Sequence, residues 1–368
     1  MTNVRSQIKV LHYVWWRNAH IDSLIKAQRA HGIDARQSQA LIPTSMLRIL
    51  FAPFCLAGYR ILGYQIIHLH WVAGHFKPST STSKFMARFY FQWFKLFLWS
   101  SHVFGLQVVW TAHNLLPHDQ IFPDDLLARK YLVSHSDVVF ALNPTSKQNL
   151  EHRFNAVSVT EIPVAEVIPQ PTESREETRT SLGIKPGEIL FSHFGHIRPY
   201  KGTDKFLQAI GIANQPAQFL IAGTPGPNEY METIHSLKDS ALNSGMKLNY
   251  QEGFLLEAEL ANFIQASDFL VCPFEAINNS GFVNIAFAMG VPVILSDVEG
   301  LSWVPRDAAI WIHPANDAAS LAQTIKRACH LTPDEVTQIV QSATRYSQDR
   351  NWDSYVLPQV SAYKALIQ

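Results

Sequence analysis

Short, almost wholly apolar runs alternate with longer amphipathic stretches along most of the chain. IKVLHYVWW (8–16) reads as a buried strand, and HIDSLIKAQRAHG after it as an amphipathic helix stopped at Gly32. QIIHLHWV (65–72), LQVVWTAH (106–113) and SDVVFALN (136–143) repeat the strand type: β-branched and nearly all apolar. Runs of that kind suit strands covered on both faces, as in a parallel sheet with crossover helices. After VTEIPV (159–164), a stretch rich in proline and charge reads as a linker and then a helix. The rhythm then restarts with EILFSHFG (188–195), AQFLIAG (217–223), KLNYQEG (247–253), DFLVCPF (268–274) and VPVILSD (291–297). Helical patterns fall between these runs, at about 203–214, 228–243, 256–266 and 281–289, and again over 334–367.

The predicted fold class is therefore α/β: two Rossmann-like doubly wound parallel-sheet domains facing across a cleft. The boundaries expected are 1–168 for an N-terminal Rossmann-like domain and 169–345 for a C-terminal one. Residues 346–368 form a last helical segment that crosses back to the first domain. A chain of 368 residues is long enough for two cores of that size.

Charge narrows the partners. Lysine plus arginine equals aspartate plus glutamate at 30 each, so no global field draws in nucleic acid, and an anion has to be held by a local site. Cys55, Cys272 and Cys329 are far apart, lack metal-ligand spacing and read as reduced residues of a cytosolic protein. The N-terminus carries no signal-peptide pattern. Two aromatic stretches, 46–64 and 83–105, are apolar enough to raise the question of a membrane. Arg88, Gln92 and Lys95 interrupt the second, which argues against a spanning helix and leaves packing on a sheet or peripheral contact with a bilayer surface.

Candidate chemistry gathers at strand ends, where doubly wound sheets bind ligands. FGHIRPYKG (194–202) places Gly195, Arg198 and Lys201 just past a strand. The glycine allows close backbone approach, and the two cations could neutralise a diphosphate or simply be solvated. CPFEAINNSGFVNIAFAMG follows another strand end, and there Ser280 or Asn279 caps a helix whose free N–H groups face an anion. Two such features in one domain favour a shared phosphate ligand. Phe254 and Leu255, in a short loop before a helix, either flank a flat base or staple the helix start.

The order GHIRPYKG, GFLLEAELANFIQASDFLVCPF, NSGFVNIAFAMGVPVI resembles the nucleotide-binding half of GT-B glycosyltransferases, and most closely the retaining glycosyltransferase family 4. QIIHLHWV, VVWTAHNLLPHD and HSDVVFALNPTSKQNL extend the likeness more loosely into the first half. The resemblance implies a nucleoside-diphosphate-sugar donor with its diphosphate on Arg198 and Lys201, beside Gly195, Ser280 and Gly281, with Phe254, Leu255 and Asn279 toward the nucleotide. It also implies that the first domain, 1–168, binds the acceptor and the second, 169–345, the nucleotide sugar. It departs at the family's two glutamates, which seven residues separate: Ile285 and Ile277 stand at those positions, with Glu275 two residues before the first as a substitute. The family's Gly-Gly turn after the first strand is replaced by WWRNAH, whose Arg17 or Asn18 approach the phosphates or the acceptor.

His113 and Asn114 follow a strand directly. By resemblance His113 touches the donor sugar near the reacting carbon; on its own, a histidine satisfied by local backbone is an equal reading. His118 with Asp119, or His20, would supply a base for an inverting reaction. His68 and His70 share a strand face but have no carboxylate or cysteine in register, so no zinc site is expected. The expected activity is metal-independent transfer of a hexosyl group to a hydroxyl of a glycan or lipid-linked acceptor, with no cofactor. The setting implied is bacterial surface polysaccharide or glycoconjugate assembly in the cytoplasm, at the inner face of the plasma membrane. Retention is favoured over inversion. The alternatives are a non-catalytic bilobed protein that binds nucleotide or sugar, and a nucleotide-sugar epimerase or hydrolase.

Overall fold

The computed structural model describes residues 7–16, 18–38, 45–72, 84–117 and 120–368. The chain forms two compact units, one of Met1–Ala165 together with Arg350–Gln368, the other of Glu166–Asp349.

In the first unit the strands are β1 (Lys9–Tyr13), β2 (Asp34–Gln37), β3 (Ile66–Leu69), β4 (Gln107–Thr111), β5 (Val138–Ala141) and β6 (Val159–Glu161). They lie in one sheet in the order β2-β1-β3-β4-β5-β6, every described pairing parallel. Crossovers are made by helices α1 (Ala19–Ala30), α2 (Ser45–Ile61), α3 (Lys84–Val103), α4 (Asp125–Ser134) and α5 (Pro144–Arg153). The interior strands are apolar because helices cover both faces: all four residues of β3 and of β5 are buried. β2, of sequence DARQ, has no such run. As an edge strand it needs only Ala35 inside, which is why its pattern is silent in the sequence.

In the second unit α6 (Arg175–Ser181) precedes β7 (Leu190–Phe194), α7 (Thr203–Ala213), β8 (Gln218–Gly223), α8 (Asn228–Asn243) and β9 (Lys247–Glu252). Then come α9 (Glu257–Ala266), β10 (Phe269–Cys272), α10 (Gly281–Ala288), β11 (Val293–Ser296), β12 (Ile310–Ile312), α11 (Ala318–Ala328) and α12 (Pro333–Gln348). The sheet order is β12-β11-β10-β7-β8-β9, the dinucleotide-fold order, which reverses between β7 and β10.

The stretch read as one helix over 334–367 is two, α12 and α13 (Trp352–Ile367). Asp349 ends the first, and the side chain of Asn351 caps the second by accepting from Ser354 N at 2.9 Å. α13 belongs to the first unit, where Tyr355, Val356, Val360 and Tyr363 join the core formed by α1 and one face of the sheet.

The two aromatic segments are α2 and α3. α3 buries Tyr90, Phe91, Phe94, Phe97 and Leu98 against the sheet while Phe85 and Trp99 are exposed; α2 buries Leu56 and exposes Phe51 and Phe54. No helix among the described residues is long and apolar enough to cross a membrane.

Candidate functional site

The order of the second sheet puts its reversal point between β7 and β10, where doubly wound sheets bind ligands, and the loops leaving those two strands meet beyond it. Both cation-bearing and helix-capping segments lie in these loops. After β7 the chain passes Gly195 and turns through a 3-10 segment, Pro199–Lys201, into α7. Gly202 closes the turn at φ +70°, and a Cβ there would stand 2.0 Å from the Pro273 carbonyl oxygen, so only glycine lets the two loops meet. Glu275 N donates to Tyr200 O at 3.0 Å and ties them further.

Lys201 is 6% exposed. Its Nζ lies 4.8 Å from the Phe274 ring centre, 5.2 Å from Phe282 and 5.6 Å from Tyr200. It donates to no acceptor among the described residues. Burial depresses its pKa, with Cys272 opposing the shift. Ring quadrupoles offset only part of the cost of an ammonium out of water, so this charge is under-compensated.

Phe282 belongs to the first turn of α10, which brings the second candidate segment to the lysine. Ser280 is the N-cap, its Oγ accepting from Val283 N at 3.5 Å; Asn279, read as an equal candidate, precedes the cap. Gly281 opens the helix, and a Cβ on it would stand 3.1 Å from Glu166 Oε1. Glu166 therefore places a carboxyl over the helix N-terminus. Burial raises its pKa to about 7, with the Asn284 amide beside it acting in the opposite direction. Asn284 is 7% exposed, and neither atom of its amide completes a hydrogen bond of good geometry. Sequence reading missed both residues. Glu166 lies in a proline-rich linker, and Asn284 sits in a helix otherwise read as apolar.

The remaining candidate residues scatter. Arg198, half-buried, precedes the 3-10 turn, and its side chain runs past Gly226. Glu275 faces Asp204 and Lys205 at the start of α7; burial raises its pKa, Asp204 adds to the rise, and Lys205 opposes it. Phe254 is 79% exposed, whereas Leu255 packs on the core of the unit, as do Ile277 and Ile285.

In the first unit the sheet reverses between β1 and β3, and there the histidines gather. His12 pairs in register with His68, and His70 follows β3. Ligand atoms of His12, His68 and His70 lie within 4.8 Å of one another, a grouping that could seat a cation and that needed β1 beside β3 to become visible. Every ring nitrogen of the three already has a partner. His12 Nδ1 meets His70 Nε2 at 2.9 Å, and His12 Nε2 meets Gln28 Oε1 at 2.7 Å. His68 is held by Tyr363 Oη and Thr111 Oγ1 at 2.6 and 2.7 Å. His70 Nδ1 reaches His113 Nε2 at 3.2 Å.

His113, just beyond β4, stacks on Trp71 with ring centres 4.3 Å apart. Burial lowers its pKa to about 3 and that of His20 to about 4. His20 Nε2 meets Tyr355 Oη at 3.3 Å. Asn18, a candidate for phosphate or acceptor, instead caps α1: its Oδ1 accepts from His20 N and Ile21 N at 3.0 and 3.2 Å. Asn114 is half-buried beside His113. Arg17, His118 and Asp119 lie outside the described residues. A cavity of about 850 Å³ opens beyond β1 and β2, lined among others by Trp15, Trp16, Lys26, Arg29, Arg36 and Tyr59.

Residues 188–330 match the family described as glycosyl transferases group 1. Over 278 residues the chain is 26% identical to a D-inositol 3-phosphate glycosyltransferase of Rhodococcus erythropolis, covering 68% of this chain and 60% of the relative. Over 267 residues it is 25% identical to a GDP-mannose:glycolipid 4-beta-D-mannosyltransferase of Xanthomonas campestris, 66% of each. The match thus spans less than two thirds of either relative's length. Two solved structures show the fold: sucrose-phosphate synthase from Thermosynechococcus elongatus (TM-score 0.72, 18% identity, 98% of this chain and 99% of that one) and Anabaena HepE in complex with UDP (TM-score 0.70, 12% identity, 98% and 100%). The two six-stranded parallel-sheet units share the GT-B architecture of those solved structures.

Proposed function

We propose that this chain moves a sugar from a nucleoside-diphosphate sugar to a hydroxyl of a glycan or lipid-linked acceptor. The observation that carries the reading is the buried ammonium of Lys201 at the first turn of α10, which has no acceptor among the described residues. A diphosphate supplies the charge that this pocket lacks. It would lie between Lys201, Arg198 and the free N–H groups at Gly281, with the backbone of Gly195 alongside. Glu166 and the Asn284 amide beside it would bond donor hydroxyls at the start of α10. As the bond between C1 and the phosphate oxygen breaks, the electron pair leaves on the diphosphate, where these fixed cations and N–H groups stabilise it without requiring a metal. UDP in the HepE structure and GDP-mannose in the name of the Xanthomonas relative fit a donor of this class.

Retention of the donor configuration is the outcome favoured. His113 and His20, with pKa values near 3 and 4, are weak bases for taking a hydroxyl proton at neutral pH. In retention on one face, the acceptor oxygen bonds to C1 and its proton passes to the departing diphosphate. The aromatic and cationic cavity beyond β1 and β2 suits an anionic or lipid-linked acceptor, and the Xanthomonas relative is named for a glycolipid. The place of action proposed is the cytoplasmic face of a bacterial plasma membrane, in surface-polysaccharide assembly.

The test is a thermal-shift titration with UDP, GDP, ADP and TDP, with and without EDTA, on the native chain and on Arg198→Ala/Lys201→Ala. One nucleotide should raise the melting temperature of the native chain equally with and without EDTA, and the double variant should lose the response. Flat curves for all four, or an unchanged response in the variant, would sink the reading. Product NMR with that nucleotide's sugars decides the anomer.

A further inference from the structure

One chain of buried hydrogen bonds in the first unit has a direction, and it ends at His113. The backbone carbonyl of Tyr355 can only accept. Gln359 Nε2 donates to it at 3.0 Å, which turns Gln359 Oε1 toward Gln28, whose Nε2 donates at 2.9 Å. Gln28 Oε1 then faces His12 Nε2 at 2.7 Å and must receive a proton from it. A neutral imidazole with its proton on Nε2 offers a lone pair on Nδ1, so His70 Nε2–H donates to His12 Nδ1 at 2.9 Å. The same rule passes along once more: His70 Nδ1 accepts from His113 Nε2–H at 3.2 Å.

We propose that the Tyr355 carbonyl, acting through Gln359, Gln28, His12 and His70, holds His113 in its Nε2–H tautomer and leaves Nδ1 as a lone-pair acceptor for a substrate hydroxyl. The last clause rests on the reading of His113 as a substrate contact; the tautomer itself does not. Gln28, His12 and His70 are positioning residues. Reversing the chain would set His12 Nε2 and Gln28 Oε1 lone pair to lone pair. Flipping both amides to avoid that would set Gln359 Oε1 against the Tyr355 carbonyl instead. Only one pattern leaves no clash. All four relay side chains are buried, with Gln28, His12 and Gln359 at 0% and His70 at 2% exposure, so water cannot substitute for a missing link. Burial also keeps His12, His70 and His113 neutral at pH 7, and a protonated ring, donating at both nitrogens, would erase the direction. Among the described residues nothing bonds His113 Nδ1, the group at the open end.

Histidine-labelled protein examined by long-range 15N–1H correlation reads each tautomer directly, with His113 assigned from a His113→Gln spectrum. At pH 7.5 the native chain should show His12, His70 and His113 all as Nε2–H. Gln28→Met, of similar shape, removes the acceptor and should let His113 populate both tautomers. Gln28→Glu keeps an oxygen facing His12 and should restore Nε2–H even though it loses the donor to Gln359. In turnover, Gln28→Met should lower kcat about 10-fold with the donor KM unchanged, and Gln28→Glu should recover most of it. His113 found as Nδ1–H in the native chain overturns the relay, and needs no variant to fold. An unchanged His113 signal in a folded Gln28→Met protein overturns it too. A scrambled tautomer with native kcat sustains the relay and removes His113 from the substrate contacts.

Discussion

The ammonium of Lys201 stands 4.8 Å from the centre of the Phe274 ring and, among the described residues, has no acidic residue paired with it. A cation buried among rings costs stability that a bound anion would return. Lys201→Met, an apolar side chain of similar reach, should therefore raise the melting temperature of the ligand-free protein by about 2 °C or more. It should also abolish the stabilisation by nucleoside diphosphate. A lower melting temperature in the variant, measured by calorimetry, would mean the rings alone compensate the charge.

Gly202 couples the two loops at the reversal point of the second sheet. At φ +70°, with the Pro273 carbonyl oxygen 2.0 Å from where a Cβ would be, alanine there is both strained and obstructed. Gly202→Ala should cost at least ~2 kcal/mol in urea unfolding. Gly211→Ala, on open helix surface, is the control and should be neutral to mildly stabilising.

Glu166 links stability to pH. Its folded pKa, about 7, lies above the ordinary carboxylate value, so the fold prefers the protonated form. That preference is fully present below the unfolded pKa, near 4, and is lost as pH rises through 7. Glu166→Gln should consequently match the native chain at pH 4 and exceed it at pH 8, by on the order of 1–3 kcal/mol. Equal unfolding curves at pH 8 would show that the N-terminus of α10 already compensates the charge.

Phe54 and Trp99 present apolar surface from α2 and α3, at 63% and 57% exposure, outside the packed core. Phe54→Ser with Trp99→Ser should leave the melting temperature within about 1 °C of native, since exposed positions contribute little to folding. If these helices meet a bilayer, the pair should reduce co-sedimentation with anionic vesicles several-fold. Identical sedimentation would take these side chains out of any membrane contact.

Much of the architecture was legible in the order of apolar runs. Strands covered on both faces must be apolar, and nine of the twelve strands among the described residues fall on runs readable in the sequence. The exceptions are physical. β2 is an edge strand that needs one buried residue, and β6 and β12 are three residues long. The helix stretch over 334–367 hid its break because Asp349 and Asn351 read as surface polar residues until their capping bonds are seen.

At the site the division follows from what each residue needs. Gly195, Lys201, Ser280 and Gly281 stand out in the sequence as candidates by position, because anion chemistry at a strand end would call for glycine, cation and cap within a few residues. The sequence by itself determined the two parallel-sheet units and which strand ends could hold charge, since both follow from local pattern. Only the tertiary structure decided that Lys201 is buried without an acceptor among the described residues, that Glu166 covers the start of α10, and that His12, His70 and His113 share a hydrogen-bond chain with Gln28 and Gln359. Those facts join residues up to 331 positions apart, as between Gln28 and Gln359. Burial and hydrogen-bond direction are properties of what surrounds a side chain, and the neighbours are chosen by strand order, which one-dimensional pattern does not carry.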